Sequence, residues 1–392
     1  MLKPEASGIK AIIALFLIHF LGDFYYSFIN PLLPVFVEKY LLSMTQVGII
    51  TGMSRFLAFI VQPPVGYISD HYYPRLFILG GLFISFIFIP LVSFSSGFAT
   101  LIFFICLGSL GSSMFHPASA GMVSLYAGRY MGLSMAIYNL GGTLAFAVGP
   151  LFITAFVGYL GLEALPFTMI IGFLVVFAIA EMLPPPRKGD LKKFGFIGSL
   201  NEAFGEVWKS IVIIWIVMVL RSLVGQSFLT FIPILFTKEG HPLIAIGTMV
   251  SLFTLAGAIS GLVAGHFSDK IGYKPIFLIA HGLATPSLYL LLAVSGALIY
   301  PAVFIGGFFI FATLPLGLAM AQVLAPKGRS MVSSLMMGLA YGTGGLLAPL
   351  TGKLADVFSI RAVLTVLSFV PLISIILLVF LPEPKKRNTF KI

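Results

Sequence analysis

Long apolar stretches alternate with short polar intervals along almost the whole chain. Twelve of these stretches are close to the ~20 residues that an α-helix needs to cross a bilayer. They fall at residues 11–37, 46–68, 76–95, 98–123, 130–158, 164–183, 210–236, 243–267, 275–294, 297–324, 330–352 and 361–381. The pattern predicts an all-α polytopic membrane protein with twelve transmembrane helices in two six-helix bundles.

The first apolar stretch also carries a stripe of polar side chains. Within Ile18–Pro34, the residues His19, Asp23, Tyr26 and Asn30 are spaced by +4, +3 and +4, so an α-helix places them on one face. Asp23 lies near the middle of the stretch, where an ionised carboxylate is expensive and usually functional. We interpret the stripe as one wall of a translocation pathway; the alternative is a structural hydrogen-bonded pair.

The composition supports the membrane interpretation and excludes several other classes. The 392 residues are 59% hydrophobic and 9% charged, with a mean hydropathy of +1.08, against about 25% charged residues in an average soluble domain. The single cysteine, Cys106, excludes internal disulfides and cysteine-based zinc sites. The sequence contains no GxSxG, HExxH or GxxxxGK(S/T) motif, so it predicts neither an enzyme nor a cofactor or metal site.

The net charge of +10 reflects membrane topology. With both termini in the cytoplasm, most basic residues fall on the cytoplasmic side, as the positive-inside rule requires. This set is Lys3, Lys10, Arg75, Arg129, Arg187, Lys188, Lys192, Lys193, Lys209, Lys270, Lys274, Lys327, Arg329, Lys385, Lys386, Arg387 and Lys391. The sequence therefore predicts a multi-pass inner (plasma) membrane protein with cytoplasmic termini and no nucleic-acid partner.

The two halves of the chain repeat each other. Gly66, Asp70 and Arg75 return as Gly265, Asp269 and Lys274 after 199 residues, and Gly128-Arg129 returns as Gly328-Arg329 after 200. Parallel six-helix repeats of this kind occur in transporters with a central site between the halves. We therefore predict bundles at residues 1–183 and 210–392, joined by a cytoplasmic linker at residues 184–209.

A family resemblance adds to this interpretation. The pattern G-x-x-x-D-(K/R)-x-G-x-(K/R) from Gly265 to Lys274 resembles the signature loop of the major facilitator superfamily, although the first-half copy is degraded, with His71 and Tyr73 at two of its positions. Within that superfamily the chain resembles the fosmidomycin-resistance family of efflux proteins. This second resemblance rests on His19–Asp23 (HFLGD), Gln62–Asp70 (QPPVGYISD), Phe115–Gly121 (FHPASAG) and Arg221–Pro233 (RS…FLTFIP).

The resemblance implies a transporter that alternates between inward-open and outward-open states, with a cytoplasmic gate at the signature loops. A simpler alternative makes the charged residues there interfacial anchors. The predicted gating residues are Gly66, Asp70, Arg75, Arg129, Gly265, Asp269, Lys270, Lys274 and Arg329.

Charged and polar residues inside the predicted spans suggest the chemistry of transport. Asp23 and His19 are the predicted proton-coupling pair, because burial can bring both groups towards neutrality. Arg55 and Arg221 cannot lose their protons, so they either pair with Asp23 or bind an anionic substrate. The predicted substrate-binding residues are Arg55, Arg221, His116, Tyr26, Asn30, Gln62, Gln226 and Tyr138, although His116 could instead be an interhelical structural histidine.

The leading hypothesis is proton-linked efflux by antiport of a small, anionic drug or metabolite, such as a fosmidomycin-like phosphonate. The expected partners are a small-molecule substrate, protons and the lipid bilayer, and the expected state is a monomer. An anion bound beside Asp23 should favour its protonation, which couples like symport, whereas exchange requires proton and substrate to exclude each other. Two alternatives follow: a proton-coupled uptake symporter for an organic anion or sugar, and a non-transporting membrane receptor.

Overall fold

The computed structural model describes residues 4–71, 74–127, 131–183, 207–324, 336 and 340–381. All regular secondary structure in these ranges is helical. The α-helices are α1 Pro4–Tyr26, α2 Ile29–Tyr40, α3 Met44–His71, α4 Pro74–Phe88, α5 Phe98–Tyr126, α6 Met131–Leu160, α7 Met169–Met182, α8 Trp208–Lys238, α9 Leu243–Ile271, α10 Tyr273–Ala293, α11 Ile299–Phe311, α12 Leu314–Leu324, α13 Tyr341–Leu346, α14 Ala348–Val357, α15 Ile360–Leu367 and α16 Val370–Val379.

Eleven helical stretches in the described residues are long and apolar enough to span a membrane. They run from Gly8–Tyr40 to Ile360–Val379 and match eleven of the predicted spans to within a few residues. The predicted span at residues 330–352 falls largely outside the described residues, and its end is seen as α13 and the start of α14. The prediction of an all-α polytopic membrane protein is confirmed.

The first span is not one continuous helix, so the expectation for Ile18–Pro34 needs a correction. A turn at Ser27 and Phe28 separates α1 from α2. Pro31 has no N–H to donate to the carbonyl of Ser27, four residues earlier. The Phe28 N–H donates to the carbonyl of Tyr25 at 3.2 Å, and the carbonyl of Phe24 accepts the Ser27 hydroxyl at 2.7 Å in its place. His19, Asp23 and Tyr26 therefore lie on α1, whereas Asn30 lies in the first turn of α2.

The backbone contacts divide the chain into two compact units that cut across the predicted halves. In the first unit α1 packs against α5 and α6, and α3 and α4 pack against α5. The core of the second unit includes Val217, Phe277 and Met320, each at most 1% exposed. The domain boundaries predicted from the repeat remain a prediction. The first unit comprises Met1–Leu191, Leu229–Leu255 and Leu346–Ile360, and the second comprises Lys192–Phe228, Ala256–Gly345 and Arg361–Ile392.

The internal repeat is visible in matching hydrogen bonds within each unit. The Arg75 guanidinium donates to the carbonyl of Ala180 at 2.7 Å, near the end of α7. The Lys274 ammonium donates to the carbonyl of Val379 at 3.2 Å, at the end of α16. A shift of 199 residues maps both donor and acceptor of the first bond onto those of the second. Cations stabilise helix C-termini, so both residues cap helices here, and their gating role remains a prediction.

An acidic residue that the sequence analysis did not single out caps the start of α3. Asp356 on α14 accepts hydrogen bonds from the backbone N–H groups of Met44 at 2.7 Å and Thr45 at 2.9 Å, and from the Thr45 hydroxyl at 2.5 Å. Gly48 and Gly352 let the two helix backbones approach closely, since a Cβ at either position would collide with backbone atoms of the other helix. The capping carboxylate thus joins α3 to α14, which is distant in sequence.

The hydrogen bonds to Asp356 also set the pH range of this contact. Some desolvation of this exposed carboxylate opposes its ionisation, but the hydrogen bonds from Thr45 and Met44 outweigh that effect and hold the pKa of Asp356 below its ordinary value. A lowered pKa means that the stabilisation is complete above the ordinary value and is lost as pH falls through the lowered one.

We expect Asp356→Ala to separate the start of α3 from α14. Losing an N-terminal cap costs about 1 kcal/mol, which is about a fivefold change in an equilibrium. Spin labels at Leu41→Cys and Val357→Cys, both exposed positions, in a Cys106→Ser background would report the separation by double electron–electron resonance. Glu38→Ala, another exposed acid, is the control. An unchanged distance distribution in Asp356→Ala would contradict the capping role.

The same labelled protein should be insensitive to pH in the neutral range. Because Asp356 has a pKa below the ordinary aspartate value of about 3.9, the contact with α3 should not weaken between about pH 8 and about pH 5. Weakening is expected only at more acidic pH. A distance that increases on mild acidification would show that another group controls this contact.

Candidate functional site

The buried carboxylate of Asp23 lies between two histidines from different helices. Its Oδ2 atom is 3.2 Å from Nε2 of His19, one turn earlier on α1. Its Oδ1 atom is 3.2 Å from Nε2 of His116 on α5. Asp23 is 5% exposed and His19 is 8% exposed. The predicted pair of His19 and Asp23 is therefore a triad, completed by a residue that the sequence analysis assigned to substrate binding.

The opposite ring nitrogens of both histidines are held by backbone carbonyls. Nδ1 of His19 is 2.8 Å from the carbonyl oxygen of Tyr138, and Nδ1 of His116 is 2.8 Å from that of Ser112. A carbonyl oxygen only accepts hydrogen bonds, so each Nδ1 atom must carry a proton. Of the two nitrogens in each ring, only Nε2, which faces Asp23, can gain or lose a proton.

Aromatic rings fix the planes of the two imidazoles. Tyr138 on α6 stacks on His19, with ring centroids 4.2 Å apart, and its hydroxyl is 2.7 Å from the hydroxyl of Ser119. Phe115 lies beside His116, with ring centroids 4.1 Å apart. The structure places Tyr138, a predicted substrate-binding residue, where it positions His19.

Gly142 on α6 allows the close approach on which the triad depends. It lies one turn after Tyr138, and a Cβ at this position would collide with Nε2 of His19 and Oδ2 of Asp23. No sequence pattern connects Gly142 with Asp23, because a glycine in a membrane helix is also explained by general helix packing.

A permanent positive charge lies near the triad. The guanidinium of Arg55 on α3 is 5.9 Å from the centroid of the Tyr26 ring and interacts electrostatically with His116. Since arginine stays protonated, it keeps a cation beside this site at every functional pH. Asn30 on α2 and Gln62 on α3 are part-exposed residues of the same unit.

The remaining predicted polar residues lie in the second unit. Arg221 on α8 is 2% exposed and lies 5.8 Å from the centroid of the Phe311 ring. Gln226 lies on the same helix and is partly exposed. His281 on α10 is buried, and its Nδ1 atom is 2.9 Å from the carbonyl oxygen of Phe277, which agrees with a structural role. Substrate binding by Arg221 and Gln226 stays a prediction.

The predicted gating residues are only partly described. Gly66 lies on α3 and Gly265 on α9, where Lys270 is exposed and 5.8 Å from the centroid of the Phe267 ring. Arg75 and Lys274 form the helix-capping hydrogen bonds described above. The side chains of the remaining four gating residues lie outside the described residues: Asp70, Arg129, Asp269 and Arg329.

Donor atoms of His19, Asp23 and His116 all lie within 4.8 Å of one another. Two imidazole nitrogens and a carboxylate oxygen are donor types that a divalent transition-metal ion accepts. Chemically, the three side chains can exchange protons with one another or bind one cation together. No sequence motif predicted this group, because its third member, His116, comes from a different helix.

Eleven apolar spans, an internal repeat and a buried ionisable triad define a polytopic membrane protein of the transporter class. The family model of the Major Facilitator Superfamily matches residues 15–349 and 240–391. The chain belongs to the Major Facilitator Superfamily, and this confirms the resemblance seen in its signature loops.

Individual relatives agree with this assignment. The chain is 27% identical over 384 residues to the fosmidomycin resistance protein of Escherichia coli (strain K12), covering 96% of this chain and 93% of that protein. Its fold is similar to that of a bacterial homolog to the human lysosomal transporter Spinster, at TM-score 0.79 and 16% identity, with 96% and 95% of the two chains covered. The nucleoside transporter NupG matches at TM-score 0.81 and 15% identity, with 95% and 100% covered.

We expect Gly142→Ala to destabilise the protein by about 1–3 kcal/mol, the usual cost of overpacking, because the new methyl group collides with His19 and Asp23. The matched control is Gly80→Ala on α4, where a Cβ meets no atom within 4 Å. That variant should be as stable as the wild type or more so, since alanine favours helices by about 1 kcal/mol. Thermal unfolding in detergent measures both, and equal stability of the two variants would contradict the close approach.

Proposed function

We propose that this protein is a proton-linked exporter of a small organic anion. It would work as a monomer by alternating access, as a multi-pass protein of the inner (plasma) membrane with both termini in the cytoplasm. The observation that carries the proposal is the buried carboxylate of Asp23, held between two histidines and close to the fixed positive charge of Arg55.

The triad suits proton coupling because it can change its proton content inside the membrane. A lone buried carboxylate that loses its proton pays a desolvation penalty of several kcal/mol. At Asp23 the neighbouring Nε2 atoms of His19 and His116 can each supply or accept the proton. The charge therefore moves between neighbouring side chains whose atoms are 3.2 Å apart, and it stays paired.

The positive charge near the triad favours an anionic substrate. Arg55 contributes one charge that it cannot lose, and a guanidinium can bind carboxylate or phosphonate oxygens in a bidentate manner. The relative from Escherichia coli is named for resistance to fosmidomycin, which supports export as the direction. An inside-negative membrane potential helps expel an anion, by about 2.3 kcal/mol per charge per 100 mV.

The charge of the site also favours a second candidate, a proton-coupled uptake symporter for an organic anion. With both histidines cationic, the triad has a net charge of one, and Arg55 adds another. An anion bound there stabilises the protons, and by reciprocity the protons stabilise the anion. Export by exchange instead requires that a protein with both protons and anion bound does not change between its inward-open and outward-open states.

Transport by purified protein in liposomes loaded with a pH-sensitive dye tests the proposal. Fosmidomycin should drive a proton flux, and sugars and cationic drugs should not. Asp23→Asn should abolish that flux, because an amide cannot exchange the proton, whereas Glu163→Gln, an exposed acid, should leave it intact. Proton flux opposite to fosmidomycin supports the exporter, and flux in the same direction supports the symporter. No response to any anion would contradict the proposal.

Arg55 should determine the affinity for the anion. Hydrogen bonds to charged groups contribute about 1.5–3 kcal/mol, so Arg55→Gln should raise the KM for fosmidomycin about ten- to a hundredfold. Arg55→Lys keeps the charge but loses the bidentate geometry, so a smaller increase is expected. Lys39→Gln, on α2 beyond the polar stripe, is the control. An unchanged KM in Arg55→Gln would contradict anion binding at this residue.

A further inference from the structure

The atoms that His19, Asp23 and His116 turn towards one another are the atoms with which these residues bind metal ions. Each Nδ1 atom faces a backbone carbonyl, so the neutral form of each ring has its lone pair on Nε2. Nε2 of His19 lies 3.2 Å from Oδ2 of Asp23, and Nε2 of His116 lies 3.2 Å from Oδ1. Three lone-pair donors from two helices therefore converge inside the first unit.

The spacing of these donor atoms fits one small ion. Zinc lies about 2.0–2.1 Å from histidine nitrogens and about 2.0–2.2 Å from carboxylate oxygens, so neighbouring ligand atoms of a tetrahedral site are about 3.3 Å apart. Both contacts with Asp23, at 3.2 Å, match that value. Donor atoms of the two histidines are also no more than 4.8 Å apart. A bridging proton joins only two atoms, whereas an ion requires that all three be close.

The groups behind the two imidazoles are also those of a metal site. A histidine that binds a metal almost always donates its other ring N–H to a carbonyl or a carboxylate, which fixes the tautomer and the ring plane. The carbonyls of Tyr138 and Ser112 hold His19 and His116 in this way, each at 2.8 Å. The ring of Tyr138 additionally stacks on His19. Both imidazoles are thus oriented before any ion binds.

We propose that His19, Asp23 and His116 form a binding site for one divalent transition-metal ion, such as Zn²⁺ or Co²⁺. No sequence motif predicted such a site. Two imidazole nitrogens and a carboxylate suit ions of this class, whereas Mg²⁺ and Ca²⁺ prefer oxygen ligands. Three protein ligands leave one coordination position open. Among the residues that the structure describes, no other three His, Cys, Asp or Glu side chains lie close enough to share an ion.

The charges around the site oppose the ion in part. Arg55 interacts electrostatically with His116, so a bound cation is repelled by the guanidinium. Asp23 supplies one negative charge, and a divalent ion together with Arg55 leaves positive charge in excess. This excess favours an anion in the open coordination position. The affinity of the site for metal therefore depends on a residue that is not itself a ligand.

An ion reaches the site through the most exposed of its three ligands. The side chain of His116 is 28% exposed, against 10% for His19 and 7% for Asp23. Once bound, the ion joins α1 to α5 and occupies the carboxylate that the proposed proton coupling needs, so it inhibits transport; that consequence rests on the proposed function. The binding of the ion does not, and it can be measured without transport.

Zinc binding to the full chain, purified in detergent, freed of affinity tags and stripped with a chelator, tests the site. At about pH 8, isothermal titration calorimetry should show one Zn²⁺ per chain with a Kd below about 100 µM. Mg²⁺ and Ca²⁺ should not bind in that range. X-ray absorption at the zinc edge should show two imidazole nitrogens among the ligands, at about 2.0–2.1 Å. Absence of zinc binding, or bound zinc without two imidazole ligands, would overturn the proposal.

The contribution of each histidine is tested by substitution. We expect His19→Gln and His116→Gln each to weaken zinc binding at least about tenfold, because each removes one ligand. The matched control is His281→Gln. His281 is also a buried histidine whose Nδ1 atom contacts a backbone carbonyl, but it belongs to the second unit. It should bind zinc like the wild type. Equal affinity in all three variants would show an adventitious ion only and would overturn the site.

Arg55→Gln separates the metal site from the proposed function. It removes a repelling charge, so zinc affinity should rise at least about threefold, whereas the affinity for a transported anion should fall. A zinc affinity that does not rise would overturn the placement of the ion at the triad. A wild type that binds zinc through two imidazoles but moves no fosmidomycin would overturn the proposed function and leave the metal site intact.

Discussion

A carboxylate in the middle of a membrane span needs partners, and the packing of the first unit provides them for Asp23. Its two oxygen atoms contact histidines from α1 and α5, and α6 supplies the carbonyl and the ring that hold one of these histidines. The desolvation of an unpaired charge costs several kcal/mol, so the arrangement of these three helices and the protonation of the triad depend on each other. A change in protonation is therefore also a change in helix packing.

The repeat supplies a symmetric scaffold for an asymmetric site. Arg75 and Lys274 cap equivalent helices at equivalent positions in the two units. By the same shift of 199 residues, however, Asp23 corresponds to Ser222 and His19 to Met218. The positions equivalent to His19 and Asp23 in the second half therefore carry no ionisable side chain. Arg221, a cation buried on α8, is the main intramembrane charge of that half among the described residues.

Much of the fold could be predicted, because its determinants are local or repeated. Bilayer thickness sets the length of each span, so hydropathy located eleven of them, and the repeat was readable from glycines and charges at a constant shift. The pair of His19 and Asp23 was predictable as well, because residues four apart share a helix face. The break at Ser27 and Phe28 was missed, although Pro31 is its cause.

The contacts between distant segments could not be predicted from patterns along the chain. His116 was recognised as a polar residue of its helix, but only packing of α5 against α1 shows that it faces Asp23. Gly142 is one of 41 glycines, and nothing local distinguishes it from those that serve packing alone. Asp356 lies in an exposed segment beyond a predicted span, where acids are common. Its capping role depends on a helix far away in the sequence.

The claim that most needs testing is that both histidines of the triad carry a fixed proton on Nδ1 and present Nε2 to Asp23. Nuclear magnetic resonance of protein labelled with ¹⁵N-histidine distinguishes the two nitrogens of each ring and reports which of them is protonated. For His19 and His116 the account predicts a protonated Nδ1 in every form of the ring, because a backbone carbonyl faces that atom in both residues. A neutral form of either histidine with its proton on Nε2 and none on Nδ1 would contradict it.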